Sequence, residues 1–180
     1  MPSKKINRQP KISVAEFVKQ SPAELEIEIL VATEKARKKC IDSERMQKLG
    51  LSLAGFAHYI HAGRIQIVGQ SEIAYLAQLE SKKIIEAINN LDLEKICCIL
   101  ITKNLTPPAE LLEIAREKNL PVLRTAQISS KAINLITSFL VEALAPQTTI
   151  HGVLVGMYGI GILLLGDSGI GKSECALDLI

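Results

Sequence analysis

Residues 95–123 read KICCILITKNLTPPAELLEIAREKNLPVL, and this stretch sets the architecture of the chain. It holds an apolar run (ICCILIT), a turn with two prolines, an amphipathic segment and a second short apolar run. A short apolar run bounded by turn residues predicts a buried strand, and Pro107, Pro108 and Glu110 predict the start of a helix. Asn119 suits the left-handed position at which a helix ends. The stretch therefore predicts a strand, a helix and a second strand.

The same alternation begins upstream. RIQIVG, residues 64–69, predicts a strand, and a helix is expected to open near Ser71 with Glu72 in its first turn. The apolar residues of that helix recur at helical spacing: Ile73, Leu76, Ala77, Ile84 and Ile88. Strand, helix, strand, helix, strand at this spacing predicts an α/β fold with a parallel sheet covered by helices. Ser129 or Ser130 is expected to cap a further helix, which runs to about Ala143 before Pro146.

The first fifty residues give weaker signals. A polar tail to about residue 12 precedes a short helix at 14–18, and residues 34–48 (EKARKKCIDSERMQK) predict a solvated connection or an exposed helix face. Ser21, Pro22 and Glu24 resemble a capping box. Residues 25–29 nevertheless alternate apolar and charged side chains, which favours a strand that extends to residue 31.

Composition limits the class of protein. Of 180 residues, 48% are hydrophobic and 22% charged, which is typical of a globular protein rather than a disordered or coiled-coil one. A net charge of +2 is too balanced for a nucleic-acid footprint over the whole surface. We find no apolar run long enough to span a membrane and no signal-peptide core, so a cytoplasmic protein without membrane association is expected.

The four cysteines do not predict a site. Cys40, Cys97, Cys98 and Cys175 have neither the spacing of a metal finger nor the regularity of a disulfide framework. Cys97 and Cys98 lie inside the apolar run ICCILIT, where cysteine acts as a small buried hydrophobe.

The strongest chemical signal lies in residues 161–180, GILLLGDSGIGKSECALDLI. An apolar strand over 161–165 precedes a complete G-x-x-x-x-G-K-[ST] phosphate-binding loop, and a helix is expected to follow it. Its eight residues are Gly166, Asp167, Ser168, Gly169, Ile170, Gly171, Lys172 and Ser173. Glycines let the backbone N–H groups turn inward around phosphate oxygens, and the helix presents its positive end to the same anion. Lys172 can reach the β- and γ-phosphates of a nucleotide, and the Ser173 hydroxyl can ligate Mg²⁺.

The three histidines differ in context. His58 and His61 have helix-like spacing, but no neighbouring carboxylate or thiol completes a metal set, and surface histidine is the simpler interpretation. His151 begins the segment that leads into the loop strand. A hairpin turning at residues 157–159 would bring that segment alongside the loop strand, and His151 is therefore a candidate site residue.

Several segments resemble the HPr kinase/phosphorylase family: TTIHGVLV, MYGIG and GDSGIGKSE, with LSLAGF, RIQIVGQSE, ITKNLTPPAELLEIA, NLPVLRT and LAPQTTIHG upstream. The resemblance covers about residues 14–180. It implies an N-terminal α/β domain at about 1–130 and a linking helix with the start of a C-terminal kinase domain at 131–180. That kinase domain is similar to phosphoenolpyruvate carboxykinase.

The resemblance also implies an activity. Members use ATP or pyrophosphate, with Mg²⁺, to phosphorylate a serine of the phosphocarrier protein HPr. They remove that phosphate with inorganic phosphate, which controls carbon-source use, and they assemble as hexamers. The resemblance assigns His151 and Lys172 to catalysis, residues 166–173 to the nucleotide and Ser173 to magnesium. Gly156 departs from the family, where an acidic residue is common after HGVLV.

The family's catalytic carboxylate, with an arginine and an HPr-contacting segment, lies downstream of the phosphate-loop helix, beyond residue 180. The apolar strand 161–165 also resembles a central strand, which needs neighbours on both faces. We therefore expect this chain to be the N-terminal portion of such an enzyme, inactive by itself. The alternatives are a non-catalytic binding or assembly module with a vestigial nucleotide loop, and an unrelated P-loop ATPase. A continuing reading frame with acidic and arginine motifs would favour the N-terminal portion of an enzyme over both alternatives.

Overall fold

The structure is a computed structural model and describes residues 10–56, 60–147 and 150–179. Strands and helices largely alternate along the chain. The strands are β1 Ile12–Ser13, β2 Glu28–Val31, β3 Cys40–Ile41, β4 Gln47–Lys48, β5 Ile65–Val68, β6 Cys98–Ile101, β7 Val122–Arg124, β8 Gly152–Met157 and β9 Ile160–Leu165. The helices are α1 Val14–Gln20, α2 Glu34–Arg37, α3 Gly50–Leu53, α4 Gln70–Ala77, α5 Ser81–Asn89, α6 Ala109–Glu117, α7 Ser129–Ala143 and α8 Lys172–Asp178. By internal contacts they form two compact units, Met1–Pro146 and Gln147–Ile180.

A five-stranded sheet organises the first unit. Its strand order is β2-β7-β6-β5-β4, and the pairs β4/β5, β5/β6 and β6/β7 are parallel. The edge strand β2 runs antiparallel to β7. The predicted α/β fold is therefore confirmed for this unit, with one difference: the sequence predicted a parallel sheet, whereas the edge strand β2 is antiparallel.

The strands at the centre of this sheet separate two hydrophobic cores. In β6, Ile99 and Ile101 face one core, whereas Cys98 and Leu100 face the other, because successive side chains of a strand point to opposite faces. Helices α4, α5 and α6 contribute Leu76, Ile88 and Ile114, among others, to the first core. Helices α1 and α7 cover the second core. The unit consequently has three layers, with the sheet in the middle.

Helix α7 belongs to the second core of the first unit. Its residues Ala132, Ile136 and Leu140 are fully buried at helical spacing, and the ring of Phe139 lies 5.9 Å from that of Phe17 between ring centroids. The expected serine cap is wrong, since Ile128 is the capping residue and no side chain caps the helix. Ser129 is instead the first helical residue, and its Oγ lies 2.8 Å from Thr102 Oγ1 at the end of β6.

The helix predicted from Ser71 to Ile88 is in fact two helices. Helix α4 ends at Ala77 and α5 begins at Ser81, after Glu80 in an extended conformation. At the break, Leu79 packs against the first core, and the Ser81 hydroxyl donates a 2.5 Å hydrogen bond to Glu110 Oε1. These tertiary contacts interrupt a sequence pattern that was compatible with one helix.

The N-terminal segment also differs from its prediction. The strand is confined to Glu28–Val31, because Ala23–Leu25 form a 3-10 turn that ends at left-handed Glu26. The capping box is formed by Ser13 and Glu16 at the start of α1. Ser21 is instead the C-cap residue of α1 and does not begin a helix. Its hydroxyl donates to the carbonyl of Val18.

Residues 34–48 are more ordered than a solvated connection. They form α2, then β3, which pairs with β1, and then β4, which adds a parallel edge strand beside β5. Ile41 of β3 is fully buried. Two-residue strands are too short to give a periodic signal, which explains why the sequence did not predict them.

The interpretation of Cys97 and Cys98 as buried hydrophobes is confirmed, since both are buried in the second core. A hydrogen bond with the Cys97 thiol, together with burial, raises the pKa of the Cys98 thiol. Cys40 and Cys175 are exposed, and so is His61, whereas His58 lies outside the described residues. No helix in the described ranges combines the length and apolar character needed to cross a membrane.

The burial of α7 makes a prediction about stability. Ile136→Ala removes buried methyl groups and leaves a cavity in the second core, and should lower the free energy of unfolding of the first unit by about 2–5 kcal/mol. Val141→Ala on the same helix is the matched control, because Val141 is 55% exposed and should change that free energy by less than about 0.5 kcal/mol. Urea unfolding followed by circular dichroism measures both. Equal effects of the two variants would show that α7 is not part of this core.

Candidate functional site

The second unit is built on a hairpin of β8 and β9. The two strands pair antiparallel from Gly152↔Leu165 to Met157↔Ile160. Tyr158 and Gly159 form the turn, with φ values of 52° and 79°. Two consecutive residues with positive φ are typical of the type I′ turn, whose twist matches that of the strands it joins. The predicted hairpin is therefore confirmed.

The glycine-containing loop lies between the end of β9 and the start of α8, as the motif predicts. Gly169 and Gly171 have φ values of 86° and 84°, which L side chains rarely adopt. Helix α8 begins directly after Gly171, and no side chain caps its first turn. The N–H groups of that turn are thus available to an anion bound outside the chain.

Gly166 makes a contact that the motif alone does not reveal. A Cβ atom at this position would collide with Cδ1 of Ile170. The Ile170 side chain therefore packs over the backbone of Gly166. Ile170 looks like an arbitrary loop residue in the sequence, because no local pattern predicts that it contacts the first residue of the loop.

The Lys172 side chain reaches back across the loop. Its Nζ atom donates hydrogen bonds to the carbonyl oxygens of Gly166, at 2.9 Å, and Asp167, at 2.5 Å. Both acceptors are backbone atoms, so no carboxylate neutralises the ammonium in these contacts. Ser173 follows in the first turn of α8 and is exposed. A positive charge and a hydroxyl group therefore lie beside the same loop.

His151 lies at the same end of the hairpin. It precedes the Gly152↔Leu165 pair by one residue, so the antiparallel register places it across from Gly166. The residue is exposed. The structure thus brings His151 and residues 166–173 together at one end of the hairpin. Thr148 and Thr149, which begin the TTIHGVLV segment, lie outside the described residues.

These groups fit a bound phosphate chemically. Backbone N–H groups at a helix start, an ammonium and a hydroxyl supply donors and positive charge, which oxyanions require. An exposed serine hydroxyl beside bound phosphate is also a ligand type that Mg²⁺ accepts. Among the described residues, no group of three or more His, Cys, Asp or Glu side chains forms a metal cluster. Ser173 and phosphate oxygens could supply ligands to a metal ion here.

The two faces of the hairpin have different environments. On one face, Val155 is buried, and α8 contacts both strands and buries Ala176. On the other face, Leu154, Leu163 and Leu165 are 72%, 45% and 57% exposed. A strand that is apolar on both sides is typical of the centre of a covered sheet. The described residues of the second unit cover one side of it.

Comparison with protein-family models gives two matches. The model "HPr Serine kinase N terminus" matches residues 12–140, and the model "HPr Serine kinase C-terminal domain" matches residues 142–180. Together they include both units of the structure and the whole phosphate loop.

Curated relatives carry the same description. An HPr kinase/phosphorylase of Geobacter sulfurreducens is 48% identical over 140 residues, which cover 78% of this chain and 44% of the relative. One from Bacillus mycoides is 37% identical over 171 residues, or 95% of this chain and 54% of the relative. The chain thus spans about half the length of the curated relatives it matches.

A solved structure is also similar. The CBS and DRTGG domains of a Clostridium perfringens pyrophosphatase, in complex with diadenosine tetraphosphate, align with a TM-score of 0.48 at 23% identity. The alignment covers 72% of this chain and 50% of that one. Similarity of this degree carries no conclusion about function.

The turn geometry predicts different effects of two glycine substitutions in the hairpin. Gly159→Ala places a side chain at positive φ and should destabilise the turn by about 1–2 kcal/mol. Gly156→Ala is the matched control, because no atom lies within 4 Å of the added Cβ at either position and only Gly159 has positive φ. Amide hydrogen exchange of β8 and β9 should be about 5–30 times faster in Gly159→Ala and little changed in Gly156→Ala. Equal exchange in the two variants would contradict the assigned turn.

Proposed function

The chain belongs to the HPr serine kinase family, and from this membership we propose that it is the N-terminal part of an enzyme that phosphorylates and dephosphorylates a serine of HPr. The observation that carries the proposal is the phosphate loop between β9 and α8, with Lys172 drawn across it. ATP or pyrophosphate is the proposed phosphoryl donor. Family relatives named HPr kinase/phosphorylase support HPr as the acceptor.

We assign phosphate binding to residues 166–173. The N–H groups at the start of α8 donate to phosphate oxygens, and the partial positive charge of the helix end favours the same anion. Lys172 exchanges its two carbonyl acceptors for oxygens of the β- and γ-phosphates. This exchange replaces neutral acceptors with anionic oxygens, so the ammonium gains an ionic attraction that the carbonyl oxygens do not supply.

Magnesium fits the proposed site through Ser173. Its hydroxyl group supplies one oxygen ligand, and the remaining ligands come from phosphate oxygens and water, as is usual for this ion. When bound, Mg²⁺ neutralises charge that develops on the transferred phosphoryl group. Ser173 follows Lys172 directly in the first turn of α8. One turn of helix therefore holds both the proposed magnesium ligand and the proposed phosphate contact.

His151 is the proposed additional catalytic residue. The hairpin register, with Gly152 opposite Leu165, supports this role because it puts the backbone of His151 beside the start of the loop. There its imidazole donates a hydrogen bond to the phosphoryl group during transfer. The structural argument for this role is the hairpin register, and the resemblance to the family supplies the same assignment.

The same loop serves both proposed directions of reaction. In the forward direction, the serine oxygen of HPr attacks the terminal phosphorus of the donor and the hydroxyl proton passes to a base. The bond from that phosphorus to the leaving group breaks, which releases ADP from ATP or inorganic phosphate from pyrophosphate. In phosphorolysis, an oxygen of inorganic phosphate attacks the phosphoserine phosphorus, which releases serine and pyrophosphate. Both directions bind phosphate groups beside Lys172, so both depend on this residue.

We further propose that the 180-residue chain lacks the base for this proton. In the family that carboxylate follows the phosphate-loop helix, beyond residue 180. The exposed leucines of the hairpin support an incomplete second domain, since a complete one would cover them. We propose that the N-terminal domain spans residues 1–130, that α7 is the linking helix and packs against the second core of that domain, and that the kinase domain, which resembles phosphoenolpyruvate carboxykinase, starts within residues 131–148. Assembly into hexamers is a further proposal that follows from the family.

Lys172→Ala tests the assignment of the loop. In the 180-residue chain, loss of the ammonium should weaken binding of Mg²⁺–pyrophosphate by about 10–100-fold, the usual effect of removing a hydrogen bond between charged groups. Isothermal titration calorimetry measures it. Lys131→Ala, at an exposed position of α7, is the control and should bind as the unmodified chain does.

In a form that includes the kinase domain, Lys172→Ala should abolish kinase and phosphorolysis activities together. Retention of either activity would refute the assignment.

The incompleteness of the second domain predicts a difference in activity. The 180-residue chain incubated with HPr, ATP and Mg²⁺ should produce no phosphoserine. A longer form that also contains the rest of the kinase domain found in the family should produce it. Mass spectrometry of HPr measures both. Phosphoserine formed by the 180-residue chain would contradict the missing base. No product from the extended form would favour the alternative, a binding or assembly module with a vestigial loop.

A further inference from the structure

A cavity of about 290 Å³ lies within the first unit, apart from any residue assigned above to the phosphate site. It is lined by residues of α1, β2, α2 and β7 and of the connection after β2. Its volume is close to the lower end of the range for small-molecule cavities, about 300 Å³. The cavity is therefore large enough for a small ligand.

The interior of this cavity is apolar. Val14 and Leu123, which are almost fully buried, and Ile29, which is 39% exposed, line it. Ala15 and Ala32 also line it. Alanine leaves space that a larger aliphatic side chain would fill, so the small side chains at these two positions help to keep the cavity open.

Two basic side chains complete the lining. Lys19 lies in the last turn of α1 and Arg37 in the last turn of α2, and both are exposed. Within the part of the chain that the structure describes, neither side chain forms an ion pair with an acidic residue. The Nε of Arg37 donates a 3.3 Å hydrogen bond to the carbonyl of Ala32, which holds the guanidinium beside the cavity. The opening therefore carries positive charge that the described acidic residues do not pair with.

We propose that this cavity binds a small amphiphilic anion: an aliphatic chain with a single carboxylate or phosphate head group. The chain occupies the apolar interior, where its burial supplies the hydrophobic part of the affinity. The head group remains at the opening, where Lys19 and Arg37 supply ionic hydrogen bonds. The site is independent of the phosphate loop and of the proposed kinase activity. It gives the first unit a binding function of its own.

Octanoate is the probe for the first test, with octan-1-ol and acetate as comparisons, in isothermal titrations of the 180-residue chain. Octanoate should bind, octan-1-ol should bind at least about fivefold more weakly because it lacks the charge, and acetate should not bind detectably. Binding of octanoate should weaken as salt rises. No binding of octanoate, or equal binding of octan-1-ol, would overturn the proposal.

Variants then locate the site. Ala32→Leu fills the cavity and should abolish octanoate binding while the thermal midpoint is unchanged or higher, as cavity filling often stabilises a fold. Should Ala32→Leu fail to fold, Ala15→Leu takes its place. The double variant Lys19→Gln/Arg37→Gln should weaken binding at least about fivefold and flatten its salt dependence, whereas Lys131→Gln, on exposed α7 surface, should not. Unchanged binding in the folded cavity-filling variant would overturn the assignment.

Discussion

The burial of both faces of strand β6 is the constraint on which the first unit depends. Every residue of Cys98–Ile101 is fully buried, and alternate side chains enter two separate cores. Each face must therefore be covered by helices, with α4, α5 and α6 on one side and α1 and α7 on the other. Parallel neighbours are consistent with this constraint. The connection between two parallel strands crosses a face of the sheet and usually contains a helix, which covers that face.

The parts of the fold that could be predicted from the sequence are those encoded by local pattern. The apolar run of β6, the helix that follows Pro108 and the left-handed Asn119 carry their own signals, and the structure has all three. The parts that could not be predicted depend on distant contacts. At the break between α4 and α5, the Ser81 hydroxyl donates a hydrogen bond to Glu110. Ser129 does not cap α7, and its hydroxyl lies within hydrogen-bond distance of the Thr102 hydroxyl. These partners lie 29 and 27 residues apart in the chain, beyond any local pattern.

The features of the candidate site also divide into those that the sequence predicts and those that it does not. The motif predicts the position of the glycines, of Lys172 and of Ser173, because phosphate binding imposes a fixed spacing on them. It does not predict that Ile170 packs over Gly166, since that contact depends on the path of the loop in space. The position of His151 required both the predicted hairpin and its register, which the turn at Tyr158 and Gly159 determines. A turn therefore fixes which residue lies across from the start of the loop.

The second unit thus carries the glycine-containing loop, for which we propose phosphate binding, on a hairpin whose other face is apolar and exposed. The chain spans about half the length of the curated relatives it matches. The central claim is that residues 166–173 bind phosphate groups. The most direct measurement is a titration of the ¹⁵N-labelled chain with Mg²⁺–pyrophosphate, followed by the backbone amide resonances. The account predicts saturable shifts at residues 168–174 and none in the sheet of the first unit. If the amide resonances of the loop do not shift at Mg²⁺–pyrophosphate concentrations that saturate an intact phosphate loop, the account is contradicted.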